Sequence, residues 1–215
     1  MSPISPMGPK KNKINEKTIF LKKTRSMRKL FFLLLTVFSL NISAQNADKL
    51  YEEGKQLYDQ KNYTAAFPKL KAAAEKGHKK AQYRLGRCYD KGRGTLENEK
   101  LAFHWYEKSA AQGYAKAIYE LGDCYKDGDG VAKDRQKAFE LFKKAAAMEN
   151  ADAEYALGKC YLKGKGTKAD QALAKKWLKR AVTNEKGGKE ILADLHKQAA
   201  EGDEDAKAIL TLIGK

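Results

Sequence analysis

The sequence predicts an all-α fold, an α-solenoid of stacked helix-turn-helix repeats, and three observations carry that expectation. The first is a stretch that returns at a fixed distance: Ala81 to Tyr89, Ala117 to Tyr125 and Ala153 to Tyr161 are spaced 36 residues apart. A constant period of that size marks stacked supersecondary units. The second is the spacing inside each copy, where Ala81, Leu85, Cys88 and Tyr89 stand at i, i+4, i+7 and i+8 and so share one helix face. The third is the G-x-G loop that follows each copy, at Gly92/Gly94, Gly128/Gly130 and Gly164/Gly166. One unit cannot bury its apolar face alone, so the units must stack.

Taken in order, residues 1–26 are polar and basic, with Pro3, Pro6, Gly8 and Pro9 but no apolar period, and predict no structure. Met27-Arg28-Lys29, the apolar run Leu30 to Leu40 and Asn41-Ile42-Ser43-Ala44 match the charged, hydrophobic and cleavage regions of an export signal. The run has 11 residues, whereas a spanning helix needs ~20. Export to the periplasm or beyond is therefore expected, with the mature chain starting at Gln45 and membrane contact only through the uncleaved signal. No cysteine stands directly after the apolar run, so a lipid anchor is not expected. Met27, directly before the positive pair, is the expected initiator. The leader and signal occupy residues 1–44 and the helical repeat domain 45–215.

Within that domain the expected units are 47–77, 78–113, 114–149 and 150–185, with a terminal cap over 186–215. The second helix of each unit should open at an N-cap, Asn62, Asn98, Asp134 or Asp170, because a short polar side chain there accepts an otherwise unpaired backbone amide. Gly77 and Gly113 are expected to close the first two second helices in the left-handed conformation, with Asn150 taking that role in the third. Pro68 falls inside the first unit's second helix and should kink it. Past Asn184 the period fails, and two helices, about Lys189 to Ala200 and Asp203 to Ile213, are expected to cap the stack.

Composition excludes more than it suggests. The formal net charge of +16 points towards nucleic acid. Residues 45–215, however, hold 34 basic and 26 acidic side chains of mixed sign, which reads as a solvated surface. After Ala44 the only serine is Ser109, whose repeat equivalents are Ala73, Ala145 and Ala181, so it is a core position and not a nucleophile. Cys88, Cys124 and Cys160 follow the repeat and not a metal-ligand spacing. Stacked helices lie ~8–10 Å apart and a disulfide needs Cα atoms within ~7 Å, so these thiols are expected to stay reduced. His78, His104 and His196 read as solitary surface histidines. Asp127-Gly128-Asp129-Gly130 starts like a calcium loop, but Val131, Ala132 and Ala138 stand where the third ligand, the glycine and the glutamate belong. No catalytic residue, metal ligand or cofactor is expected.

The first unit, with Leu50, Gly54, Tyr58, Ala66, Leu70 and Ala73 at its apolar and small positions, resembles a tetratricopeptide repeat. The next three, with their longer loops, resemble the Sel-one-like repeat, and the resemblance covers about residues 47–185. It implies a binding module whose first helices line a concave face. There the residues three before and one after the helix glycine would meet a protein or peptide partner: Tyr51 and Lys55, Tyr83 and Arg87, Tyr119 and Asp123, Tyr155 and Lys159. Four phenols flanked mainly by cations suit an extended peptide with aromatic or acidic groups. The same tyrosines also suit packing between helices. An envelope or cell-wall structural protein is the alternative. Some cysteine-rich secreted relatives are linked to β-lactam hydrolysis, but they pair two cysteines per repeat, whereas this chain has one per repeat at another place.

Overall fold

The computed structural model describes residues 44–215. Ala47–Lys215 form one compact unit, and among the described residues every regular element is a helix. Helix α1 covers residues 44–59. It is followed by α2 (Tyr63–Glu75), α3 (Lys79–Asp90), α4 (Glu99–Ala111), α5 (Ala115–Asp127), α6 (Arg135–Ala146), α7 (Ala151–Lys163), α8 (Gln171–Thr183), α9 (Gly188–Ala200) and α10 (Glu204–Ile213). The leader, the export signal and the Met27 start lie outside the described residues.

All four expected N-caps form. Asn62 accepts the Ala65 amide at 3.3 Å, while Asn98, Asp134 and Asp170 accept those of Leu101, Lys137 and Leu173 at 2.9 Å. Gly77 and Gly113 are left-handed as expected, with φ of 88° and 71°, but the third turn is made by Glu149 at φ 59° and not by Asn150. Glu149 is the residue in register with the two glycines. Asn150 instead caps α7, accepting the Ala153 amide at 2.8 Å, a use that satisfies one of the unpaired donors at the helix start. His78 departs from the expected solitary surface histidine in the same way. It caps α3 through Nδ1 at 3.0 Å from the Ala81 amide and stacks on Tyr51 at 4.2 Å. Helix α2 runs unbroken through Pro68, which has no N–H to give the Thr64 carbonyl.

Within a unit the two helices touch at the glycine of the first. A Cβ on Gly86, Gly122 or Gly158 would stand 2.6–2.7 Å from Tyr106, Phe142 or Leu178, and those three side chains are 0–2% exposed. Between units, the second glycine of each loop lies on the start of the preceding second helix. A Cβ on Gly94, Gly130 or Gly166 would meet the carbonyl oxygen of Tyr63, Glu99 or Arg135 at 2.1–2.4 Å. One aromatic pair fastens successive units three times over. Phe67 and Tyr89, Phe103 and Tyr125, and Phe139 and Tyr161 meet edge to face at 5.4–5.6 Å, a geometry that aligns the positive ring edge with the neighbouring π-face.

A polar clamp recurs in alternate units, tying the end of the second helix to a buried side chain of the first. Gln112 Nε2 donates to Gln82 Oε1 at 2.7 Å and to the Gly77 carbonyl at 2.9 Å. In the same register two units on, Asn184 Nδ2 donates to Glu154 Oε2 at 3.0 Å and to the Glu149 carbonyl at 3.2 Å. Glu154 is fully buried, and its other oxygen lies 2.6 Å from Arg180 Nε, as an ion contact without hydrogen-bond alignment. Ser109 is buried and donates to the Lys79 carbonyl at 2.7 Å. Beyond the third pair the aromatic ladder stops, because Lys175 stands where Phe139 stood. Helices α9 and α10 instead cluster Leu195, Ile209, Leu210 and Ile213 with Leu178 and Val182.

Candidate functional site

The first helices of the units, α1, α3, α5 and α7, carry the eight residues expected on the binding face, and burial divides them. Tyr51 and Tyr83 are only 6% and 9% exposed. Tyr83 donates to Glu120 Oε1 at 3.3 Å and packs on Tyr106 and Tyr114. Lys55 is paired with Asp59 along α1 at 3.4 Å. Arg87 lies beside Tyr83 and the carboxylate of Glu120, and both favour its charged form against desolvation. Tyr51, Tyr83 and Arg87 thus belong to the interfaces between helices, whereas Lys55 is paired along its own helix.

The other four, Tyr119, Asp123, Tyr155 and Lys159, come together around a cleft of about 280 Å³ lined by α5, α6 and α7. Both tyrosines are half-buried. Tyr119 leans on Phe142 of α6 at 5.8 Å, which repeats the Tyr83 contact with Tyr106 one unit later. Burial, then the adjacent Asp123, raises its phenol well above the ordinary range. The Lys159 ammonium sits 5.2 Å from the Tyr155 ring centre, a cation–π arrangement. Burial pushes the Tyr155 phenol up to about 12, helped by Asp194, Asp203 and Asp205.

Cations that the repeat reading missed complete the lining. Lys126, Lys133, Arg135, Lys163 and Lys165 join Lys159, against Asp123 and Asp127. Lys126 is held by Asp123 at 2.5 Å and Asp127 at 3.1 Å, and Lys163 pairs with Asp205 of α10. Among the described residues, Lys133, Arg135, Lys159 and Lys165 have no carboxylate within 4.0 Å. Lys159 is exposed overall, yet desolvation and then the nearby Lys163 and Lys126 lower its pKa. Burial is the larger cause and the neighbouring positive charge adds to it, so an anion entering the cleft would offset the repulsive part. A signal for two of these cations was present in the sequence: Lys126 and Lys163 follow Asp123 and Lys159 by three and four residues, one helical turn on the same face.

Upstream of the cleft, Glu120 occupies the seam between α3 and α5. Burial pushes its carboxyl up to about 7 against the pull of Arg87, with Asp123 and Asp90 adding to the rise. The three cysteines are free and buried. Burial pushes the Cys88 and Cys124 thiols up to about 11 and about 12, so the reactive thiolate is disfavoured. Among the described residues no group of three or more His, Cys, Asp or Glu side chains is arranged to hold a metal. No described helix is long and apolar enough to cross a membrane.

Comparison with known proteins gives three results. The Sel1 repeat model matches residues 79–114, 115–150 and 151–184. A Sel1 repeat protein from Oxalobacter formigenes is 30% identical, with 77% of this chain and 67% of that chain covered and a TM-score of 0.63. A protective antigen with an SLR fold, present in uropathogenic Escherichia coli strains, is 27% identical with a TM-score of 0.63, and the match covers 82% of this chain but 40% of the antigen. No curated protein matches the chain.

Proposed function

This chain belongs to the Sel1-repeat family, and from that premise we propose that it is an exported, non-catalytic scaffold whose concave face holds a segment of a partner protein. Sel1-repeat proteins are typically non-catalytic scaffolds for protein interaction, which supports the coarse role. The observation that carries the finer one is the cleft between α5 and α7, where two half-buried tyrosines and Lys159 from successive units face one space. Tyrosine offers a large apolar face with one polar tip, and lysine offers charge, a pairing suited to an extended segment carrying aromatic or acidic groups. Export rests on the Met27 to Ala44 signal pattern. It places the partner in the envelope or outside the cell.

The Tyr155→Ala/Lys159→Ala double variant is expected to weaken capture of the partner from envelope extracts by about tenfold or more, since desolvated aromatic anchors dominate such interfaces. Lys55→Ala, far from the cleft on α1, should leave capture unchanged, and the circular dichroism melts of all forms should stay close. Unaltered capture by the double variant would contradict the reading. Binding to purified wall material without any protein partner would favour a structural role instead.

A further inference from the structure

The cleft has an acidic neighbour supplied by its own chain. Lys159 and Lys163 stand one turn apart on α7, so their ammonium groups share a face. Asp205, in the first turn of α10, pairs with Lys163, while Lys159 and Lys165 lower its carboxyl further. Its side chain is 61% exposed and that of Lys163 is 30% exposed, so solvent and a competing anion reach the pair. Asp194 and Asp203 add to the negative charge that acts on Tyr155 at the same end.

We propose that Asp205 is an internal ligand of the cleft, occupying Lys163 in the free chain and surrendering it to a carboxylate of an acidic partner segment. The proposal rests on the reading of the cleft as the partner site and adds the partner's chemistry and a brake on its binding. Charge argues for that occupant: six cations face two aspartates around the cleft, and four of the six lack a carboxylate partner among the described residues. An exposed ion pair is weak enough to be exchanged. Further carboxylates of the same partner segment can pair Lys159 and Lys165, which act on Asp205 only from beyond ion-pair distance. The cap thus selects for segments with clustered acids, because a single carboxylate merely replaces the one already present.

The test is fluorescence anisotropy of a labelled hexaglutamate peptide with the full chain at low ionic strength. Asp205→Asn is expected to tighten binding about two- to fivefold, the range in which exposed pairs act. Glu204→Gln removes the same charge one residue away, from a side chain paired with Lys207 inside α10 at 2.7 Å, and should change binding much less. Lys163→Ala should weaken binding and abolish the effect of Asp205→Asn, as a double-mutant cycle requires. Equal or weaker binding by Asp205→Asn would overturn the internal ligand while leaving the cleft as a partner site. Hexaglutamate that fails to bind any form would overturn the acidic class, and the Tyr155/Lys159 capture experiment would then judge the concave-face reading by itself.

Discussion

Gly94→Ala lowers the stability of the repeat domain by about 2–5 kcal/mol, through left-handed strain of about 1–2 kcal/mol and overpacking of about 1–3 kcal/mol. The residue sits at φ 74°, and its Cβ would stand 2.2 Å from the Tyr63 carbonyl oxygen and 2.7 Å from the carbonyl carbon. Backbone on the far side cannot rotate away as a flexible side chain would, so the loop or the preceding unit must shift. Gly113→Ala is the matched control. Its φ is 71° but nothing lies within 4 Å, so only the conformational cost of about 1–2 kcal/mol remains. Urea unfolding followed by helical circular dichroism measures both, and similar losses would show that the loop does not bear on its neighbour.

Phe142→Ala should cost about 3–5 kcal/mol, the range for deleting a fully buried aromatic ring. The ring is 0% exposed and packs where a Cβ on Gly122 would stand 2.7 Å away. Gly122 therefore has no side chain to fill the space left behind. Because Phe142 also supports Tyr119 at 5.8 Å, the same change should loosen the cleft wall. Phe142→Leu keeps much of the volume and should lose clearly less, as judged by the same unfolding measurement. An equal loss for both would point to an aromatic contact and not to a cavity.

The repeat made the scaffold readable because the stack makes the same physical demand in each unit. At most places where the chain turns left-handed or passes close to a neighbour a glycine recurs, as short polar caps do at the helix starts, and Asn98, Asp134 and Asp170 could be placed from that alone. Glu149 was hidden because a glutamate at positive φ contradicts local preference, and only its register with Gly77 and Gly113 reveals it. His78 was hidden because histidine is not among the usual helix caps, and because its stacking partner Tyr51 comes from another helix. The cleft was half readable for the opposite reason. Its tyrosines recur, whereas its cations stand where the repeats differ: Asp90, Lys126 and Leu162 share one position, and Lys91, Asp127 and Lys163 share another. A reading built on periodicity averages such positions away, although a binding site needs to distinguish one unit from the next.

The most direct test of the cleft as the partner site is site-specific photocrosslinking. A photoreactive residue at Ala156, half-buried in the cleft lining, is compared with one at Lys176, exposed on α8. A partner adduct from position 156 and none from position 176, with the adduct lost in the Tyr155→Ala/Lys159→Ala background, is the predicted result. An adduct from position 176 that persists in that background, with none from 156, would contradict the account.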